Sequence, residues 1–205
     1  MKLLGIHIDS RLNFDHHINA ICQKAKRQIS VLMRLSKKLD QKTKLTMYKS
    51  YILSNFNYCP IVWMFCSKGN SDKMEKLQCR ALRFVFHDFK SPYHNLIQMA
   101  GESTLLISRL KTLAIEVYKC MNNISPSFIC NLLTKHDRPY NLRNTMPLCQ
   151  KKFNTKSYGL KSFTYFGSKI WNKLPLHIKR SMSLNEFKQV IKHWDGDNCC
   201  EGMLF

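Results

Sequence analysis

One periodicity constrains this chain more than any other feature. From about Asp15 to Leu39, the residues Ile18, Ile21, Cys22, Ala25, Ile29 and Leu32 fall on one side of a helix at about 100° per residue. Arg27, Arg34 and Lys38 fall opposite in a narrow stripe, and Lys24 flanks it. A segment with this pattern packs its apolar side inward and leaves its cations in water. The same pattern returns along the chain, which predicts a mainly α fold.

A second helix is expected from about Gln41 to Asn55, with Leu45, Tyr48, Ile52 and Phe56 inward. Pro60 then interrupts an aromatic-rich stretch, Tyr58 to Phe65, built around Trp63. After a loop containing Gly69, the pair Asp72 and Glu75 reads as a cap opening a third helix that runs to about Phe86. Leu77, Ala81 and Phe84 face inward there, and Lys73, Lys76, Arg80 and Arg83 form a basic row. Shorter and longer helices follow at Tyr93 to Ala100 and at about Thr104 to Met121, separated by Gly101. Ser125-Pro126-Ser127 starts another short turn of helix.

Lys135 to Thr155 is polar, holds Pro139 and Pro147, and reads as an extended connector. Order resumes with Phe163, Phe166, Ile170 and Trp171 and stops at Pro175. The chain closes with a helix whose S-x-x-E cap is Ser183 and Glu186, followed by Phe187, Val190, Ile191 and Trp194 at helical spacing. The expected organisation is a strand plus helical bundle over 1–134, a connector over 135–157, and a smaller helical region over 158–205. The strand is Leu3 to Asp9, with Leu4, Ile6 and Ile8 on one face. Its partners are expected from elsewhere, a hint that the chain is a fragment.

Charge narrows the partners. Lys and Arg number 33 against 13 Asp and Glu, a formal net charge of +20. A field of that sign attracts polyanions, with nucleic acid ahead of an anionic membrane. At 44% hydrophobic residues the chain is too apolar for a charged, disordered tail. No run approaches the roughly 18 apolar residues of a membrane span, and His7 and Asp9 break the N-terminal apolar stretch before it reaches signal-peptide length. Nine cysteines, an odd number, with several inside apolar helical patterns, point to reduced thiols in the cytoplasm or nucleus and not to a secreted protein.

The basic helices are the candidate site: Lys24, Arg27, Arg34 and Lys38, then Arg80 and Arg83. They contact phosphates in one reading and form ordinary solvated helix faces in the other. Tyr48, Tyr51, Tyr58 and Trp63 could stack on bases, but Tyr48 and Tyr51 lie at helical spacing among Leu45 and Ile52, which favours core packing. No C-x-x-C occurs, and His193 with Cys199 and Cys200 is a poor zinc set because adjacent cysteines rarely share one ion. There is no adjacent Asp pair to hold two catalytic metals. Asp195 and Asp197 around Gly196 read as helix-exit residues, and no Gly-rich phosphate loop or serine nucleophile motif is present.

Several stretches in collinear order resemble the region that follows the palm in LINE-type (non-LTR) retrotransposon reverse transcriptases. They are Leu4-Gly5-Ile6-His7-Ile8-Asp9 with Leu12-Asn13-Phe14 and His17-Ile18, then Tyr58-Cys59-Pro60-Ile61-Val62-Trp63 and Arg80-Ala81-Leu82-Arg83. Tyr140-Asn141-Leu142-Arg143, Phe166 to Pro175 and Ser183-Leu184-Asn185-Glu186-Phe187-Lys188 continue the series. The resemblance implies a thumb-like helical bundle that grips RNA or an RNA–DNA hybrid. It also implies that the fingers and palm, with the catalytic aspartates and Mg of a complete polymerase, lie upstream, Met1 falling about where the palm ends. No cofactor is expected in this chain. The ending differs from relatives that finish with spaced cysteines, since Cys199 and Cys200 are adjacent. The alternatives are a non-functional relic or a helical protein-interaction module.

Overall fold

The computed structural model describes residues 1–135, 147–155 and 159–196. It is mainly helical, with one short antiparallel sheet near the N-terminus. Residues 1–108 form one compact unit, and a second begins at Arg109.

The N-terminal strand is a hairpin. β1 (Lys2–Leu3) pairs with β2 (Ile6–His7), Lys2 opposite His7 and Leu3 opposite Ile6. Leu4 and Gly5 both take positive φ, 46° and 85°, the backbone a two-residue hairpin turn demands. The partner expected from elsewhere is therefore the strand's own second half. Leucine is a poor residue for that conformation, which is why the alternation read as one strand. Asp9 then organises the loop. Its carboxylate accepts from the backbone N–H groups of Arg11, Asn13 and Phe14 at 3.0, 2.9 and 2.7 Å. Those donors hold its pKa below the usual carboxylate range, that of Asn13 most strongly.

α1 (Asp15–Leu35) buries all six apolar residues that the periodicity assigns inward, and His17 with them. α2 (Gln41–Met47) is capped by Asp40, which accepts from the Thr43 N–H at 3.1 Å. It runs through a π-helical turn, Tyr48–Leu53, into α3 (Ser54–Asn57). Thr46, Ser50 and Ser54 each bond the carbonyl four residues back, at 3.0, 2.7 and 2.6 Å. Such back-bonding competes for the helix's own acceptors, and the widened turn lies along this ladder. α4 (Pro60–Trp63) starts with Pro at its first position. It buries Trp63, whose indole N–H donates to the Tyr58 carbonyl at 3.2 Å.

α5 (Lys68–Phe86) starts five residues earlier than a cap at Asp72 would place it. Ser67 is the cap, accepting from the Asn70 N–H at 3.4 Å. Glu75 is not a capping partner. Its carboxylate accepts from the Tyr93 hydroxyl and, at 3.0 Å, from the Leu106 N–H. α6 (Tyr93–Ala100) and the start of α7 (Leu105–Met121) complete the first unit. A buried network threads its core: Gln78 donates to the Tyr48 hydroxyl at 2.9 Å and accepts from Tyr93 at 2.8 Å. Burial pushes both tyrosine pKa values upward, Tyr93 further because the Glu75 charge adds to it.

In the second unit α7 continues, followed by α8 (Ser127–Cys130), α9 (Phe163–Lys173), α10 (Leu176–Lys179) and α11 (Leu184–Lys192). Leu113, Val117, Ile170, Trp171, Phe187 and Ile191 form its core. Tyr118 stacks on Phe187 with ring centroids 4.2 Å apart. The Ser183 half of the box that opens α11 forms, accepting from the Glu186 N–H at 3.1 Å, while the Glu186 carboxylate reaches one residue further back, to the Met182 N–H at 2.7 Å. Most of the expected 135–157 connector, Tyr140 to Arg143, Asp197 and Cys199-Cys200 lie outside the described residues.

Candidate nucleic-acid interface

α1 and α5 pack along each other and advance in the same direction. Asn70 donates to Asp15 at 2.6 Å, and one turn further the Lys73 ammonium donates to Asn19 at 2.7 Å. This register brings one cation of α1 beside the basic row of α5. Lys26, Lys73, Lys76 and Arg80 line a surface groove of about 480 Å³, with Gly69, Leu77 and a single carboxylate, Asp72. Lys26, Lys76 and Arg80 form no salt bridge among the described residues. Four cations around one groove make a favourable place for a phosphate backbone, because each phosphate neutralised there releases a counterion.

The six residues singled out from sequence are distributed around this feature. Arg80 lies in the groove. Arg27 and Arg34, two turns apart, are exposed on the side of α1 opposite its core. Lys38 is exposed in the turn after α1. Lys24, also exposed, lines a different cleft with Lys2, His7 and His17. Arg83 is half-buried, and its Nε has no hydrogen-bond partner among the described residues. It is not an open member of the row. Lys26 escaped the sequence reading because it sits at the edge of the apolar face, outside the stripe, and only the packing of α5 gives that edge meaning.

The aromatic candidates divide. Tyr48 and Trp63 are buried, which leaves no face for a base, whereas Tyr51 and Tyr58 are 60% and 49% exposed. Tyr51 is thus not the core residue its place among Leu45 and Ile52 suggests. At 100° per residue Tyr51 already lies about 105° from the mean direction of Leu45, Tyr48, Ile52 and Phe56, off the buried face.

The remaining motif residues do structural work. Leu4 and Gly5 make the hairpin turn, and the Tyr58 hydroxyl donates to the Leu4 carbonyl at 2.7 Å. Gly167 lies so close to α7 that an added Cβ would stand 3.0 Å from the Val117 methyl. Asn172 accepts from the Leu148 N–H and donates to its carbonyl, both at 2.9 Å.

Most of the described acidic side chains are likewise occupied. Asp9, Asp15, Asp40, Asp88, Glu75, Glu102, Glu116 and Glu186 each bond a backbone N–H, an amide, a hydroxyl or a lysine. The described residues do not fit a two-metal polymerase centre, and no His, Cys, Asp and Glu group among them is placed to hold a metal. No disulfide joins the described cysteines. Burial raises the Cys22 thiol, and burial together with Cys130 pushes Cys120 up to about 11. No described helix is long and apolar enough to cross a membrane.

No protein-family model, curated protein or solved structure matches this chain.

Proposed function

We propose that this chain binds nucleic acid, an RNA–DNA hybrid above all, as a thumb-like segment resembling the post-palm region of LINE-type reverse transcriptases. The groove lined by Lys26, Lys73, Lys76 and Arg80 carries the reading. A surface of this kind holds the sugar–phosphate backbone and sets the register of a duplex without reading its sequence. Arg27, Arg34 and Lys38 extend the cationic field around α1 and hold more of the same strand or its complement, while Lys24 faces the separate cleft. On this reading the chain does not polymerise alone, since most of the described carboxylates are bonded into the scaffold and Asp72 is the single one in the groove. A complete enzyme would take its palm, aspartates and Mg from upstream sequence.

The test is a binding titration of the full chain against an RNA–DNA hybrid between 50 and 200 mM salt. The expected result is a linear fall of log K with log salt, steep enough to correspond to several phosphate contacts. A flat dependence refutes the electrostatic interface. Primer extension by the purified chain refutes the claim that it is inactive alone.

A second reading, a helical protein-interaction module, is favoured by one observation. Ile124, Phe128 and Leu132, around α8, are 54%, 71% and 44% exposed, and exposed apolar groups gathered in one place mark contact surfaces. The strand whose partner was expected from elsewhere is closed by its own hairpin, so it supports neither the fragment reading nor the relic reading.

A further inference from the structure

On the flank of α1 away from the groove lies a cleft of about 560 Å³ between the N-terminal hairpin, α1 and α3. Its lining includes two lysines, Lys2 and Lys24, and two imidazoles, His7 and His17, with Ser54 and Tyr58 but no carboxylate. His17 is 3% exposed. Its Nδ1 accepts from the His7 backbone N–H at 3.4 Å, so a neutral ring carries its proton on Nε2. That Nε2 is buried and has no hydrogen-bond partner among the described residues. Folded proteins rarely leave a buried donor unanswered.

His16 stands against His7 with ring centroids 4.5 Å apart, and His17 lies 6.2 Å from His7. Desolvation first, then the charges of His16 and Lys2, hold the His7 imidazole below its ordinary range. The cleft is thus short of negative charge, and one residue of its lining, His17, carries a buried donor that lacks an acceptor among the described residues.

We infer that this cleft binds a phosphate monoester through Lys2, Lys24 and the recessed Nε2–H of His17. Two ammonium groups match the two charges of a monoester, where a diester brings one. The donor is recessed, which selects further: a terminal phosphate projects free oxygens into the floor, whereas a diester is held off by the sugars on both sides. The ligand is a free nucleotide or inorganic phosphate, or the phosphorylated end of a strand. The inference stands independently of the α1–α5 groove, which shares none of these residues.

The experiment follows the imidazole nitrogens of the full chain by ¹⁵N NMR, at fixed salt, during titration with inorganic phosphate, 5′-AMP and 3′,5′-cyclic AMP. Phosphate and 5′-AMP are expected to move the His17 signals saturably, and the cyclic diester to bind at least about tenfold more weakly. Lys2→Ala with Lys24→Ala, two surface changes that leave the core intact, is expected to weaken 5′-AMP binding by about tenfold or more. Unmoved His17 signals, equal binding of the cyclic diester, or full affinity in the double variant each overturn the site. With these arms positive, tighter binding of a 5′-phosphorylated than a 5′-hydroxyl hybrid assigns the strand end, and equal binding assigns the free monoester. Substituting Lys73 and Lys76 is expected to leave the 5′-AMP titration unchanged, so failure of the groove and failure of this cleft are separable.

Discussion

The two compact units use their cations differently. In the second, Lys111 donates to the Lys192 carbonyl at 2.7 Å, Lys119 pairs with Glu116 at 2.7 Å, and buried Lys179 donates to the Asn172 carbonyl at 3.2 Å beneath the Trp171 ring. These ammonium groups tie carbonyls, an acid and a ring into the scaffold. The first unit also commits some, Lys49 to Glu102 and Lys73 to Asn19. Yet it gathers Lys26, Lys73, Lys76 and Arg80 around one groove with a single carboxylate. A net charge of +20 announces a polyanion partner without locating it. What distinguishes a binding surface is the subset of cations that folding brings together and leaves without acidic partners.

That contrast can be broken most easily by charge reversal in the groove. Lys73→Glu, Lys76→Glu and Arg80→Glu together are expected to weaken hybrid binding by about a hundredfold or more at moderate salt. Lys111→Gln with Lys119→Gln should change it less than about twofold. Equal losses in fluorescence anisotropy would erase the distinction between the units. On the scaffold side, Asn172→Ala removes a two-way bond to Leu148 and is expected to cost about 1–3 kcal/mol in urea unfolding, with hybrid affinity unchanged.

Arg27→Glu with Arg34→Glu probes the open back of α1 and is expected to cost about tenfold in hybrid affinity, less than the groove. A loss exceeding that of the groove variant would move the primary interface to that face. Lys26→Gln is finer, reducing the salt slope by about 0.9 if the ammonium meets one phosphate.

The smallest effect is a pH dependence. Desolvation, then His7 and His16, lower the His17 pKa in the folded chain. The unfolded chain therefore binds the proton more readily. The His17 contribution to stability is complete above its unfolded value near 6.5 and is lost as pH falls through the depressed folded value. In phosphate-free buffer the melting temperature should drop between pH 7 and pH 5, with a smaller drop in His17→Gln. An equal drop in both proteins would remove His17 as the cause.

The legible parts of the fold were those set by local rules. The apolar face of α1, the limits of α6 and the Ser183 cap of α11 follow from spacing and capping chemistry within one segment. The hairpin did not, because Leu4 adopts a left-handed backbone that its side chain disfavours. Nor did the start of α5, where the acidic pair at Asp72 and Glu75 resembled a cap while Ser67 supplied it. Tyr51 is exposed because it lies off the face set by Leu45, Tyr48, Ile52 and Phe56, so its nearness to Leu45 and Ile52 in sequence is no sign of core packing. At the site, the charges were visible but their grouping was not. Lys26 and Arg80 are 54 positions apart in the chain and share a groove only through the packing of α1 on α5.

The most direct measurement is a lysine footprint of the full chain, comparing acetylation rates by mass spectrometry with and without saturating RNA–DNA hybrid. Protection several-fold stronger at Lys26, Lys73 and Lys76 than at Lys111, Lys119 and Lys173 is the expected result. Uniform protection, or protection centred on the second unit, would contradict the groove as the nucleic-acid interface.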